Sequence, residues 1–317
     1  MITYILLLII GFVILIKGAD VFVDGASSVA GNFKVSKMLI GLTIVAFGTS
    51  APEFAVSVKS LLNGSGDMVL GNVIGSNILN IVLILGLSAM FHPLNVKDST
   101  VKKELPITLL MTTIFAVLLS DKLFDNININ TFTRSDGIII LLFFLVFVYY
   151  LIKMARNKIE NNQEEEYMSM KKAIAFTIIG IIAIVLGSNL VVENAASLAK
   201  AIGISEKMVA LTIIALGTSL PELVTSVTAT KKGEYDIAIG NVVGSNIFNI
   251  GMVIGIPIAI LGGINQITIN YIDLLVMIIS ALLVFIFSWK DRKISKAEGL
   301  AFLMIFVIYY SYVIYNG

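Results

Sequence analysis

The 317-residue sequence has no cysteine, one histidine and five prolines, and only 14% of its residues are charged. Without cysteine there is no disulfide framework, zinc–thiolate site or iron–sulfur cluster. A single histidine, His92 in an FHP stretch, leaves no material for a His-based metal centre or a Ser-His-Asp triad. A soluble domain carries about 25% charged residues, so the shortage of charge excludes an ordinary soluble protein. Disorder is excluded as well, because it needs low hydrophobicity and high net charge. A net charge of +1 offers no basic face, so no nucleic-acid partner is expected. What the chain does have is apolar surface: 57% hydrophobic residues and a mean hydropathy of +0.96.

A membrane-crossing helix needs about 20 apolar residues. Ten segments are candidates: 2–30, 37–62, 68–91, 105–120, 135–153, 173–199, 207–230, 237–261, 269–289 and 298–315. The first lacks a basic start and a small-residue cleavage site, so it reads as a retained helix rather than a signal peptide. The linkers are short, and the longest polar one is 157–172. With ten spans both termini share one side, and sixteen of the 22 Lys and Arg fall in the odd-numbered linkers. That bias puts the odd linkers, 157–172 included, in the cytoplasm and both termini outside. The expectation is an all-α polytopic protein of the cell membrane.

Two segments match without a gap at an offset of 169 residues. Residues 43–86 read TIVAFGTSAPEFAVSVKSLLNGSGDMVLGNVIGSNILNIVLILG, and 212–255 read TIIALGTSLPELVTSVTATKKGEYDIAIGNVVGSNIFNIGMVIG. The same offset aligns GADVFVDGASSVA (18–30) with GSNLVVENAASLA (187–199). The chain is therefore expected to be two five-helix repeats, 1–156 and 173–317, joined by the cytoplasmic linker 157–172. Five is odd, so the second repeat enters the membrane from the opposite side. Many secondary transporters are built from such inverted repeats.

Each repeat carries the same polar residues in two consecutive spans. The first has Gly48, Thr49, Ser50, Pro52 and Glu53, then Gly71, Asn72, Gly75, Ser76, Asn77 and Asn80. The second has Gly217, Thr218, Ser219, Pro221 and Glu222, then Gly240, Asn241, Gly244, Ser245, Asn246 and Asn249. Glu53 lies about ten residues from its span's end, about 15 Å of helix and half of a ~30 Å hydrocarbon core. A carboxylate there is expensive and marks an ion pathway. Pro52 removes an amide donor and clashes with the preceding turn, so the helix must break beside Thr49 and Ser50. Exposed carbonyls, hydroxyls, amide oxygens and carboxylates are hard ligands suited to calcium or sodium, and no soft ligand is present. Ser76 and Asn80, four residues apart, share a helical face.

Several of these residues also fit structural roles. Ser50-x-x-Glu53 and Ser219-x-x-Glu222 match a capping box, although a cap has no need of the mid-membrane. The paired glycines suit close helix packing, and Asn72, Asn77, Asn241 and Asn246 suit interhelical hydrogen bonds. Asp67 and Asp236 read as N-caps. Lys17, Asp20, Asp24 and Glu193 read as interfacial or paired charges.

The doubled pair GTSAPE with GNVIGSNILN and GTSLPE with GNVVGSNIFN resembles the α-repeats of the cation/calcium exchanger superfamily, most of all its prokaryotic sodium/calcium exchanger type. The resemblance covers all ten spans. It implies a core of helices 2, 3, 7 and 8 around the ions, with helices 1 and 6 sliding across it. It implies antiport of sodium against calcium by alternating access. The ligands it implies are Thr49, Ser50, Glu53, Ser76 and Asn80 with Thr218, Ser219, Glu222, Ser245 and Asn249, plus the carbonyls of Ala46 and Ala215. Asn249 stands where prokaryotic and potassium-dependent relatives often have Asp and where the animal potassium-independent exchangers have Asn, which implies potassium independence. Ser76 and Asn80 stand in the helix where the proton/calcium branch has Glu, which disfavours proton coupling. Proton/calcium exchange, potassium-dependent exchange and a cation channel stay as alternatives. No nucleophile–base pair accompanies the carboxylates, so no enzymatic activity is expected. No resident cofactor and no obligate protein partner are expected beyond Na+, Ca2+ and the lipid bilayer.

Overall fold

Long apolar runs with few breakers become long helices here. The computed structural model describes residues 1–124, 128–156, 167–203 and 215–316. Its main helices are α1 (Ile2–Phe33), α2 (Lys37–Thr49), α3 (Ala51–Leu62), α4 (Gly66–Phe91), α5 (Leu105–Leu118), α6 (Arg134–Arg156), α7 (Met170–Ala201), α8 (Leu220–Lys231), α9 (Tyr235–Leu261), α10 (Tyr271–Asp291) and α11 (Lys296–Asn316).

Among the described residues seven helices are long and apolar enough to cross a membrane: α1, α4, α6, α7, α9, α10 and α11. An eighth span is counted if α2 and α3 form one, bent by 44° between Thr49 and Ala51. The expected spans 105–120 and 207–230 fall short for identifiable reasons. The first is α5, whose 14 residues continue from a π-turn at Thr100–Glu104 that carries Lys102, Lys103 and Glu104 and so adds charge rather than apolar length. The second includes 207–214, which lie outside the described residues, as does most of the expected linker 157–172.

α1 and α7 lie side by side and antiparallel. A Cβ added at Gly18 would meet Ala183 at 2.8 Å; one at Gly187 would meet the Leu15 amide at 2.6 Å. One added at Gly180 would stand 2.6 Å from the Phe22 N and Cα, and one at Gly25 would stand 2.5 Å from the Thr177 amide. As position rises along one helix it falls along the other. Gly18 and Gly187 occupy equivalent repeat positions and face equivalent parts of the partner helix. Only glycine permits so close an approach of two backbones.

Charges collect at one end of α1. Lys232 Nζ lies 2.6 Å from Asp24 and 3.8 Å from Asp20, while Lys37 and Ser27 both donate to Glu234 Oε1 at 2.9 Å. Asp20 and Asp24 are thus paired charges, as expected. Asp236 is not an N-cap but sits in the first turn of α9 in an ion pair with Lys97; Asp67 accepts the Thr268 amide at 3.3 Å. Both carboxylates are used across elements, which a local capping reading does not foresee.

Two short antiparallel pairings tie distant linkers: Leu94–Asn95 with Lys293–Ile294, and Asn130–Phe132 with Ile264–Ile267. Beside the first, Asp98 accepts from Lys102 at 2.6 Å and Arg292 at 2.8 Å. The Lys102 hydrogen bond, helped by both charges, holds the Asp98 carboxyl below its ordinary range. A depressed carboxylate contributes stability above its unfolded value and loses it as pH falls through the folded one. An NMR titration of Asp98 is expected to show a midpoint below the ordinary carboxylate range. Lys102→Ala and Arg292→Ala are expected to raise it, with little change in thermal stability because the group is exposed.

Candidate cation-binding site

The break between α2 and α3 follows from Pro52, which supplies no amide hydrogen to the Gly48 carbonyl one turn back. Thr49 closes α2, and Ser50, at φ −82° and ψ 4°, joins it to α3. Ser219 has nearly the same backbone, φ −87° and ψ 4°, ahead of Pro221 in α8. The carbonyl freed by Pro221, that of Gly217, accepts from Ser188 Oγ of α7 at 3.1 Å. Neither serine caps its helix with its side chain. The capping-box reading therefore fails, because both hydroxyls turn across the molecule.

Ser50 Oγ donates to Glu222 Oε1 at 3.0 Å, and Ser219 Oγ lies 3.4 Å from Glu53 Oε1 and 3.2 Å from Ser76 Oγ. Ser245 Oγ lies 3.4 Å from Glu222 Oε1, and Thr49 Oγ1 lies 3.5 Å from Ser245 Oγ and 2.9 Å from Asn241 Oδ1. Each half thus reaches the carboxylate of the other. Within each half the glutamate's backbone is held in a matching way. Asn72 Nδ2 donates to the Glu53 carbonyl at 3.2 Å and to Ser57 Oγ at 3.0 Å; Asn241 Nδ2 donates to the Glu222 carbonyl at 3.3 Å and to Ser226 Oγ at 2.9 Å.

Glu53 and Glu222 are each only 1% exposed. No basic side chain appears in the hydrogen bonds described around them, so the formal charge of the pair is −2. Of the side-chain oxygens on the sequence-picked residues, Glu53 Oε2, Glu222 Oε2, Asn80 Oδ1, Asn249 Oδ1 and Thr218 Oγ1 are buried without a hydrogen-bond partner among the described residues. A buried carboxylate oxygen without a partner is costly. A hard cation relieves that cost, and calcium takes about six to eight oxygens at about 2.3–2.6 Å. Among the described residues no three Asp, Glu or His side chains gather in a metal-sized group. A cation held here therefore takes most of its ligands from hydroxyls, amides and carbonyls.

The sequence-picked residues occupy α2, α3, α4, α8, α9 and the short turn Ala215–Gly217, with Ser50 at the α2–α3 junction and Thr218 and Ser219 just ahead of α8. Ser50, Glu53, Ser76, Ser219, Ser245 and Glu222 meet directly. The Ala46 carbonyl accepts the Ser50 amide at 3.0 Å, and nothing is described of the Ala215 side chain. Gly240 and Gly244 pack against α2, as their spacing foretold, whereas no described residue lies within 4 Å of a Cβ built at Gly71 or Gly75. Sequence reading missed four features. Ser188 services the Gly217 carbonyl, and Ser57 and Ser226 anchor Asn72 and Asn241. π-turns begin at Asn80 and Asn249, Asn80–Leu85 and Asn249–Ile254. Such turns recur at functional sites, but no residue pattern announces them. Glu104, buried where Tyr150 donates to it, was also passed over because it opens a span at an expected interface.

The family described as sodium/calcium exchanger protein matches residues 3–153 and 172–315. The chain belongs to this family. It is 32% identical over 341 residues to the sodium/calcium exchanger MaX1 of Methanosarcina acetivorans, covering 96% of each chain. It is 37% identical to CaxA of Alkalimonas amylolytica over 320 residues, 98% of each chain. The fold superposes with a TM-score of 0.83 and 32% identity on the sodium-calcium exchanger NCX_Mj soaked with Na+ and Ca2+, covering 97% of each chain. As a family member this chain is a multi-pass membrane transporter rather than an enzyme.

Proposed function

We propose that this exchanger is an antiporter that moves Na+ against Ca2+ through one shared oxygen site and needs no potassium. The observation that carries the reading is the set of orphaned oxygens on Glu53, Glu222, Asn80, Asn249 and Thr218, contributed by both halves. The ligand set is Thr49, Ser50, Glu53, Ser76 and Asn80 with Thr218, Ser219, Glu222, Ser245 and Asn249, together with the Ala46 and Ala215 carbonyls. One Ca2+ balances the charge of −2. Sodium ions compete for the same oxygens, so occupancy by one species excludes the other. An empty site leaves two buried carboxylates unneutralised and resists the change of access, which makes the movement an exchange.

The architecture behind this is ten spans in two inverted repeats, 1–156 and 173–317. The gapless 169-residue offset and the antiparallel α1–α7 pair support it. The excess of Lys and Arg in the odd linkers supports outward termini and a cytoplasmic 157–172. Alternating access then arises when one half moves against the other around the fixed site.

The deciding experiment is ⁴⁵Ca uptake into proteoliposomes under sodium, potassium and proton gradients in turn. Uptake is expected with sodium alone. Uptake driven by protons without sodium, or a requirement for potassium, overturns the reading in favour of the related exchangers; conductance without counter-ion makes it a channel. Asn249→Asp is expected to add a titratable charge and make transport depend on pH or potassium where the native chain does not.

A further inference from the structure

The runs GSNILN (75–80) and GSNIFN (244–249) each contain two asparagines. Only the last of each, Asn80 and Asn249, belongs to the cation site above. Asn77 and Asn246 are equally buried. Asn80 Nδ2 donates to Asn246 Oδ1 at 2.9 Å, and Asn249 Nδ2 donates to Asn77 Oδ1 at 3.2 Å. Both bonds cross from one repeat to the other, between α4 and α9. In both, the amide nitrogen of the ligand asparagine is taken up while its Oδ1 is left without a partner.

A carboxamide offers an acceptor at one end and donors at the other, and a half-turn about its last torsion exchanges them. An NH₂ turned toward a cation repels it; an oxygen turned toward it binds. What the NH₂ meets on its far side decides between the two. Asn246 is itself fixed, because its Nδ2 donates to the Asn77 carbonyl at 3.3 Å.

Resting on the cation site proposed above, we propose that Asn77 and Asn246 are positioning residues: by capturing the amide nitrogens of Asn249 and Asn80 across the repeat boundary, they turn both Oδ1 atoms toward the transported cation. Each capture needs α4 and α9 side by side in this register, so ligand orientation is tied to the fit of the two halves.

Asn77→Leu keeps the size and removes the acceptor. Asn77→Asp keeps an acceptor and exchanges Nδ2, which has no partner in the structure, for an oxygen that brings a titratable negative charge. Outer-shell partners typically contribute about 10- to 100-fold to metal affinity. Asn77→Leu is therefore expected to weaken Ca2+ affinity by calorimetry, and raise the uptake KM, by about that factor, with a smaller change in maximal rate. Asn77→Asp is expected to bind Ca2+ tightly also at a pH low enough to protonate the new carboxyl, where the acceptor remains and the added charge does not. In an Asn249→Ala background, Asn77→Leu is expected to weaken Ca2+ affinity no further, while any loss of thermal stability persists. A folded Asn77→Leu with native affinity, or an equal weakening in the Asn249→Ala background, overturns the proposal. Asn246→Leu against Asn80→Ala tests the second bond with the same two outcomes and decides the matter if Asn77→Leu does not fold. Glu53→Gln is assayed alongside. If it transports normally, the site itself is wrong; if it is inactive while Asn77→Leu binds normally, only the positioning role fails.

Discussion

Glu53→Gln and Glu222→Gln are each expected to reduce sodium-driven ⁴⁵Ca uptake in proteoliposomes to the level of protein-free vesicles. The substitution is isosteric and keeps an oxygen to accept from Ser219 or Ser50, so the bundle is expected to assemble. What it removes is charge. A carboxylate about 4 Å from a monovalent cation is worth about 4 kcal/mol at an effective dielectric of about 20, and about 8 kcal/mol for a divalent one. If desolvation cancels half of that, the remaining ~4 kcal/mol is close to a thousandfold in affinity. The site would hold −1 against +2, with a carboxamide in place of one of its two anionic anchors. Each half supplies one carboxylate, so neither glutamate can stand in for the other. Normal exchange by either variant would remove the site from these residues.

Gly180→Val is expected to be severely damaging although it lies outside the proposed ligands. A Cβ at Gly180 would stand 2.6 Å from the N, Cα and Cβ of Phe22, and Phe22 is fully buried. Because two of the clashing atoms are backbone, trimming Phe22 to Ala gives no relief; α1 and α7 must separate. Overpacking of this kind costs about 1–3 kcal/mol. The displacement also reaches the site, since α7 carries Ser188, which holds the Gly217 carbonyl just ahead of Thr218 and Ser219. A lower melting temperature in detergent is expected together with loss of most uptake, and Phe22→Ala is expected not to rescue it. A Gly180→Val variant with native stability and uptake would show that α1 and α7 do not need this approach.

Much of the site was legible because the chemistry is local in sequence. A glutamate beside a proline and a GSNxxN run in the next helix name the ligand types of the proposed cation site, and their repetition names them twice. The reading stopped where contacts cross the repeats. Asn77 and Asn246 read as generic interhelical hydrogen bonds, and nothing in their spacing told which amide each would meet. Ser50 matched a capping box by spacing, yet its hydroxyl turns to Glu222 instead. Spacing cannot weigh a local cap against an acceptor 172 residues away. Span counting weakened at α5, where 14 helical residues follow a π-turn that composition does not reveal.

By itself the sequence determined the membrane class, through its lack of charge and its apolar runs. It also determined the duplication and the hard-oxygen character of the site, because composition and depth follow directly from residue type and position. Only the tertiary structure decided which oxygens are spoken for and which are left open. A repeat offset states which residues are equivalent, not which ones touch. Ser50 pairs with Glu222, Ser219 with Glu53 and the four asparagines with one another because two halves are pressed together at α4 and α9. That pressing leaves an oxygen without a partner on Glu53, Glu222, Asn80, Asn249 and Thr218, where the proposed cation would bind.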